Sequence, residues 1–282
     1  MCRLGVTVVI AVLALGLVAC GLKPEPTNPL QGTFPSHAVD GAGNVISLQR
    51  APRRIVSLDP GASAVLRGIG LGDATQATTP AMFTQALADS SVEFVVVPLT
   101  TAPSTLQTIA AATDASIFLY GADPLADAPI LITQLGLAVG KGPQAAAVAG
   151  RVARGLDALA RRIKLEGTVR TLIEGPGATV LGPASPLGQA VSAAGGENVF
   201  PVGGDLDLRD VSLLDVNAWV SAQPAGSSLA TLQRYNELRR VPAIVAGRVL
   251  PAPAAGYPID AALADALTAL ADDLHAPPMI IG

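Results

Sequence analysis

Residues 143–165, PQAAAVAGRVARGLDALARRIKL, decide the fold. Pro143 follows Gly142 and suits a first helical turn, where its missing N–H leaves no bond unmade. Val148, Val152, Leu156, Leu159 and Ile163 recur at helical spacing and form one apolar stripe. Arg151, Arg154, Asp157, Arg161 and Arg162 lie mostly off that stripe, and the arginines near the end complement the negative end of a helix dipole. Such a helix is about 34 Å long. Gly150 and Gly155 each cost it roughly 1 kcal/mol relative to Ala, so a packing reason is expected for both.

Outward from this helix, strands and helices alternate on both sides. Upstream, residues 53–58 form an apolar run suited to a buried parallel strand, broken by Asp59-Pro60-Gly61. A helix is expected over 63–69, stopped by Gly70 and Gly72. Strands follow at 92–97 and 115–120, with helices at 104–112 and 127–135. Downstream, strands are expected at 169–173, 218–222 and within 243–250, with helices at 187–194, 229–238 and 259–274. The last carries Leu263, Leu267, Leu270 and Leu274 on one face. Two short strands flank the Gly-rich turn at 40–43. The fold class is therefore α/β: two α/β lobes with parallel sheets, residues 34–142 and 167–282, joined by a single long rigid helix at 143–166.

Composition narrows the function. Half of the residues are hydrophobic and 14% are charged, enough for a sizeable core. The net charge is −4 with no basic block, which argues against a nucleic-acid partner. His37 and His275 are the only histidines, and no His, Cys or carboxylate set has metal-ligand spacing. No nucleophile–base set or phosphate-binding loop is present, so no covalent chemistry is expected.

The N-terminus carries a separate signal. Arg3 precedes a charge-free apolar run over 4–18, too short for a comfortable membrane span, and Leu17-Val18-Ala19-Cys20 ends it. This resembles a lipoprotein signal peptide over 1–19, with Cys20 lipidated. The alternative is an ordinary signal peptide or membrane anchor with an incidental cysteine. Loss of Arg3 with the signal would change the net charge from −4 to −5. Residues 20–33, rich in Pro and Gly, read as a flexible tether. Cys2 would leave with the signal, so the mature fold would hold no disulfide.

Several ordered segments resemble one family. They are Ala51-Pro52-Arg53-Arg54-Ile55-Val56-Ser57-Leu58, Gly68-Ile69-Gly70-Leu71-Gly72-Asp73, and Leu135-Gly136-Leu137-Ala138-Val139-Gly140-Lys141 before the long helix. Ala194-Gly195-Gly196-Glu197-Asn198-Val199-Phe200, Val241-Pro242-Ala243 and Leu274-His275-Ala276-Pro277 continue the series. The set is similar to the periplasmic cobalamin and ferric-siderophore binding proteins of ABC importers. That resemblance implies ligand capture between the lobes, delivery to an ABC permease with its ATPase, a monomer and no resident cofactor.

In open α/β lobes, ligands sit at the carboxyl ends of the strands. That rule nominates Asp59, Pro60, Thr100 and Tyr120 in the first lobe, and Glu174, Ser185 and Tyr257 in the second. Thr79, Met82 and Phe83 are added because the family counterpart of residues 78–83 faces the cleft. Tyr120 and Tyr257 could line a pocket or pack their own loops. Asp59 could meet a ligand or shape its turn, and Glu174 could bind ligand or be a solvated loop charge. Met82 and Phe83 could be ligand-facing or core, and Trp219 lies in a strand pattern suited to the core. The family usually docks to its permease through one glutamate per lobe. The matching positions here are Gln85 and Arg209, with Asp210, Asp207 or Asp215 as substitutes. The scarcity of lysine fits a corrinoid or a hydroxamate-type ferric chelate better than a catecholate, while haem could bind through a Tyr ligand. A structural or sensory lipoprotein without transport coupling is the rival reading.

Overall fold

The computed structural model describes residues 34–277, apart from 90, 224–226 and 254. The expected signal peptide, lipidated Cys20 and tether lie outside these residues. A hairpin comes first: β1 (Ser36–Val39) and β2 (Val45–Leu48) pair antiparallel, with Ser36 opposite Leu48. Asp40 makes its turn. The carboxylate accepts from the N–H of Ala42 at 3.0 Å and of Asn44 at 2.8 Å, and its second oxygen accepts from Leu119 N–H at 3.3 Å. One aspartate thus shapes the hairpin and ties it to the first lobe.

The first lobe holds β3 (Ile55–Ser57), α1 (Pro60–Leu66), β4 (Thr75–Ala77), α2 (Pro80–Leu87), β5 (Phe94–Pro98), α3 (Pro103–Ala112), β6 (Ser116–Tyr120) and α4 (Ala128–Ala138). Its strands pair in the order β4-β3-β5-β6, all parallel. Phe94, Val95, Val96 and Val97 are all fully buried, as expected for a strand covered on both faces. Residues 78–83, expected as a loop, are a loop only to Thr79. Pro80 then starts α2, because its fixed φ suits a first turn.

α5 (Gly142–Glu166) is one unbroken helix of 25 residues. Gly155 is the close approach that the sequence suggests: a Cβ there would stand 2.4 Å from the Cβ of Ala264. Gly150 is not, since its nearest neighbour is the flexible Arg154 guanidinium at 3.5 Å.

The second lobe holds β7 (Val169–Gly175), β8 (Thr179–Val180), α6 (Pro186–Ala193), β9 (Gly196–Asn198), β10 (Gly204–Asp205), α7 (Leu208–Ser212), β11 (Ala218–Ser221), α8 (Leu229–Leu232), α9 (Pro242–Val245), β12 (Val249–Pro251) and α10 (Leu263–His275). The sheet order is β10-β8-β7-β11-β12, with β9 also on β7. β9, β11 and β12 extend it in parallel, and β8 and β10 add antiparallel pairs at its edge. Two downstream expectations change. Residues 229–238 are not one helix, because the buried leucines are only Leu232 and Leu238 and give no continuous helical stripe. Residues 243–250 begin with α9, whose Ala243 and Ile244 are buried, and Gly247 at φ +67° turns the chain into β12.

The core has three layers. Phe83, Val95, Val97 and Ile109 cover the outer face of the first sheet. Leu172, Trp219, Leu238 and Ile244 cover the outer face of the second. The middle layer is shared: Phe118 and Leu135 of the first lobe join Val148, Val152 and Leu159 of α5 and Ile173, Val220, Leu267 and Leu270 of the second. The lobes therefore fold around a common apolar seam beside the connecting helix. Among the described residues, no helix is long and apolar enough to cross a membrane.

Candidate ligand cleft

Both sheets present the C-terminal ends of their parallel strands to the boundary between the lobes. The loop after β3 approaches the segment after β12: a Cβ on Gly61 would lie 2.8 Å from the backbone nitrogen of Ile259. From the end of β6, the Tyr120 hydroxyl donates to the Ile259 carbonyl at 2.7 Å. Gln189 of α6 completes the floor. Its carbonyl accepts from Leu125 N–H at 2.7 Å and its amide donates to Asp123 at 3.1 Å.

Tyr120 is therefore not a ligand-facing ring. It is 2% exposed, and burial, with Asp59 and Asp260 adding to it, pushes its hydroxyl well above the ordinary range, so it stays a neutral donor. Asp59 caps α1, accepting from Ala62 N–H at 2.8 Å. Burial raises its pKa against that bond, and the nearby Asp260 raises it further. Ser185 caps α6 in the same manner, accepting from Gly188 N–H at 3.0 Å and donating to the Gly182 carbonyl at 2.7 Å. Tyr257 packs half-buried against the shared core. Burial, and then Asp273 of α10, lift its pKa.

Glu174 is no solvated loop charge. It is 3% exposed at the cleft end of β7. Its carboxylate accepts from Trp219 Nε1 at 2.9 Å, Gln223 Nε2 at 3.1 Å and Ser227 Oγ at 2.7 Å. Three donors satisfy the charge from inside the second lobe, so it braces the cleft wall rather than meeting a ligand. Phe83 is likewise core, buried with Val56 and Val95. Pro60, Thr79, Met82 and Thr100 are exposed, with Met82 at 54%, while Asp59, Ser185 and Tyr257 keep partial exposure.

No profile of a known protein family and no curated protein matches the chain. Solved structures do. The heme binding protein HmuT superposes with a TM-score of 0.67 at 17% identity, over 87% of this chain and 91% of its own. The periplasmic heme-binding protein RhuT from Roseiflexus sp. RS-1, in apo form, gives 0.65 at 20% identity, over 80% and 98%. An ABC transporter solute binding protein from Sulfurospirillum deleyianum DSM 6946 gives 0.68 at 14% identity, over 86% and 90%. This chain has the fold of these two-lobed periplasmic solute-binding proteins.

Within that fold, Gln85 stands exposed on α2, three residues after the exposed Met82 and on the same helix face. Arg209 and Asp210 stand exposed on α7 of the other lobe, and Asp207 is occupied as the cap of that helix. Among the described residues no group of three His, Cys, Asp or Glu is placed to hold a metal. A charged surface pocket, lined by Arg162, Glu166, Asp272 and His275, lies at the far ends of α5 and α10 and is remote from the cleft. Sequence reasoning missed Gln189, Ile259 and Asp260 as cleft-floor residues. Nothing local marks Gln189 or Ile259, because each acts through a partner at least 64 positions away, while Asp260 accepts from the nearby Ala262 N–H and bears on Asp59 and Tyr120 by its charge. Thr78 was nominated only with its loop. Its hydroxyl is buried without a hydrogen-bond partner at the end of β4.

Proposed function

We propose that this chain is a lipid-anchored extracytoplasmic solute-binding protein that captures an iron-siderophore or cobalamin-like ligand between its lobes and delivers it to an ABC permease. The observation that carries this reading is the meeting of two sheets, by the C-terminal ends of their strands, over one rigid helix and a hydrogen-bonded floor. That arrangement offers a largely preformed cleft. The neighbours named heme-binding support a bulky, flat or globular chelate as cargo. Residues 34–142 and 167–282 act as the two jaws, and Cys20 carries the acyl chains. The protein works as a monomer, with no covalent chemistry.

A second reading keeps the scaffold and drops transport. Gln85 lacks charge and Arg209 has the opposite charge to the family's docking glutamates, which removes the attraction that steers docking unless Asp210 supplies it.

A thermal-shift screen of the purified protein tests the first reading. Saturating ligand at a hundred times its dissociation constant adds about 2.7 kcal/mol, a shift of a few degrees. A saturable shift with one chelate class supports capture. No shift with ferric hydroxamates, ferric catecholates, corrinoids or haem, from well-folded protein, removes it.

A further inference from the structure

The cleft differs from the rest of the molecule in its charge. The described loop residues that leave the C-terminal strand ends are 58–60, 78–79, 99–102, 121–124, 176–178, 222–223, 227–228, 252–253 and 255–262. Their sequence contains no Lys, Arg or His, and their only charges are Asp59, Asp123 and Asp260. The arginines beside the parallel strands stand at the opposite ends and are engaged there. Arg54, before β3, pairs with Asp89 at 2.9 Å. Arg170, at the start of β7, donates to the Asp215 carbonyl at 2.9 Å, and Arg248, before β12, donates to the Ala276 carbonyl.

Helix ends supply partial positive charge only, not a side-chain cation. α1, α2, α3 and α6 start at the strand-end loops, but each carries proline in its first turn and so lacks one N–H. In α1 and α6 a further N–H is taken by Asp59 or Ser185. Among the described residues both histidines and the Tyr120 hydroxyl are committed elsewhere. His37 is on the β1–β2 hairpin against Ser47, and His275 is at the far end of α10. The Tyr120 hydroxyl is occupied, and the Tyr257 ring packs on the core.

We infer that the cleft takes a bulky chelate with no net negative charge, uncharged or cationic, and turns away anionic cargo such as a porphyrin dicarboxylate or a ferric tricatecholate. This rests on the capture reading above and names the ligand class for that same cleft. An anion entering here would lose water and meet carboxylates, with no basic side chain in these loops to compensate. A neutral or cationic ligand meets proline faces at Pro60, Pro80 and Pro103, the hydroxyls of Thr79 and Thr100, and acidic loops that favour positive charge.

Trp219, the sole tryptophan, gives the readout. Its fluorescence is followed as the purified protein is titrated with a cationic and an uncharged ferric trihydroxamate, cobalamin, a ferric tricatecholate and haem. At least one uncharged or cationic chelate should bind about 100-fold or more tighter than either anion. The trihydroxamate and cobalamin arms separate the two sources of such a ligand. Thr100→Lys, which sets a cation in the exposed loop after β5, should narrow the gap by about three- to tenfold by tightening the anions. Tighter binding of haem or tricatecholate overturns the inference while leaving capture intact, and so does a folded Thr100→Lys variant with an unchanged gap. Binding of none of the five overturns the capture reading itself.

Discussion

The hydroxyl of Tyr120, at the end of β6, donates to the carbonyl of Ile259 at 2.7 Å, and this bond joins the first lobe to the segment that leads into α10. The lobes are thus attached here, and through Gln189, as well as by α5. Tyr120→Phe keeps the buried ring and leaves the Ile259 carbonyl without this donor. The expected loss is about 1–3 kcal/mol in urea denaturation, the usual cost of an orphaned buried group. Hydrogen exchange should speed up at residues 259–263 more than within α5. Equal protection in both proteins would show that the bond does not restrain the lobes.

The two glycines inside α5 should respond in opposite directions to the same change. Gly155→Ala places a methyl 2.4 Å from the Ala264 Cβ, so α10 must shift and stability should fall by about 1–3 kcal/mol. Gly150→Ala meets only the movable Arg154 side chain at 3.5 Å. It gains helix propensity and should add roughly 0.5–1 kcal/mol. Thermal denaturation of the two variants decides this, and a stabilised Gly155→Ala would mean that α5 and α10 are not held at this spacing.

This contrast shows what was legible in the chain. The α5 stripe at Val148, Val152 and Leu159 is a local, periodic signal, and it gave the helix and the two-lobed layout. Residues 92–97 gave the central strand because β5 is buried on both faces. The β8 and β10 strands were missed: each is two residues long, in a Gly-rich stretch, and exists through pairing with β7 or with one another. The site was less legible than the fold. Position after a strand nominated Tyr120, Glu174 and Asp59, but the roles of Tyr120 and Glu174 depend on distant partners. Ile259 accepts from Tyr120 across 139 positions, and Trp219 donates to Glu174 across 45. No local pattern reports such pairs.

Glu174→Gln tests the brace in the second lobe. The carboxylate now accepts from three donors, and an amide would turn one acceptor into a donor facing them. Stability should fall by about 1–3 kcal/mol. The Trp219 emission of the folded protein should also change, because its indole N–H contacts this group. Unchanged emission together with unchanged stability would show that the network contributes nothing. Glu174→Ala should cost more than Gln, since it leaves all three donors without their acceptor.

Asp59 gives a pH prediction with a defined sign. Burial, and then Asp260, raise its folded pKa above the ordinary 3.8, so the native state takes up a proton before the unfolded chain does. The penalty on the ionised carboxylate is fully present above the folded pKa. It is relieved as pH falls through that value toward 3.8, below which both states are protonated. Asn is as good a helix cap as Asp and can accept from Ala62 N–H through the same oxygen. Asp59→Asn should therefore be more stable than the parent at pH 7, with the advantage shrinking steadily toward pH 4. Chemical denaturation of both proteins across this range measures it. An Asn variant less stable than the parent at pH 7 would mean that the charge is favoured by the α1 N-terminus more than burial and Asp260 oppose it.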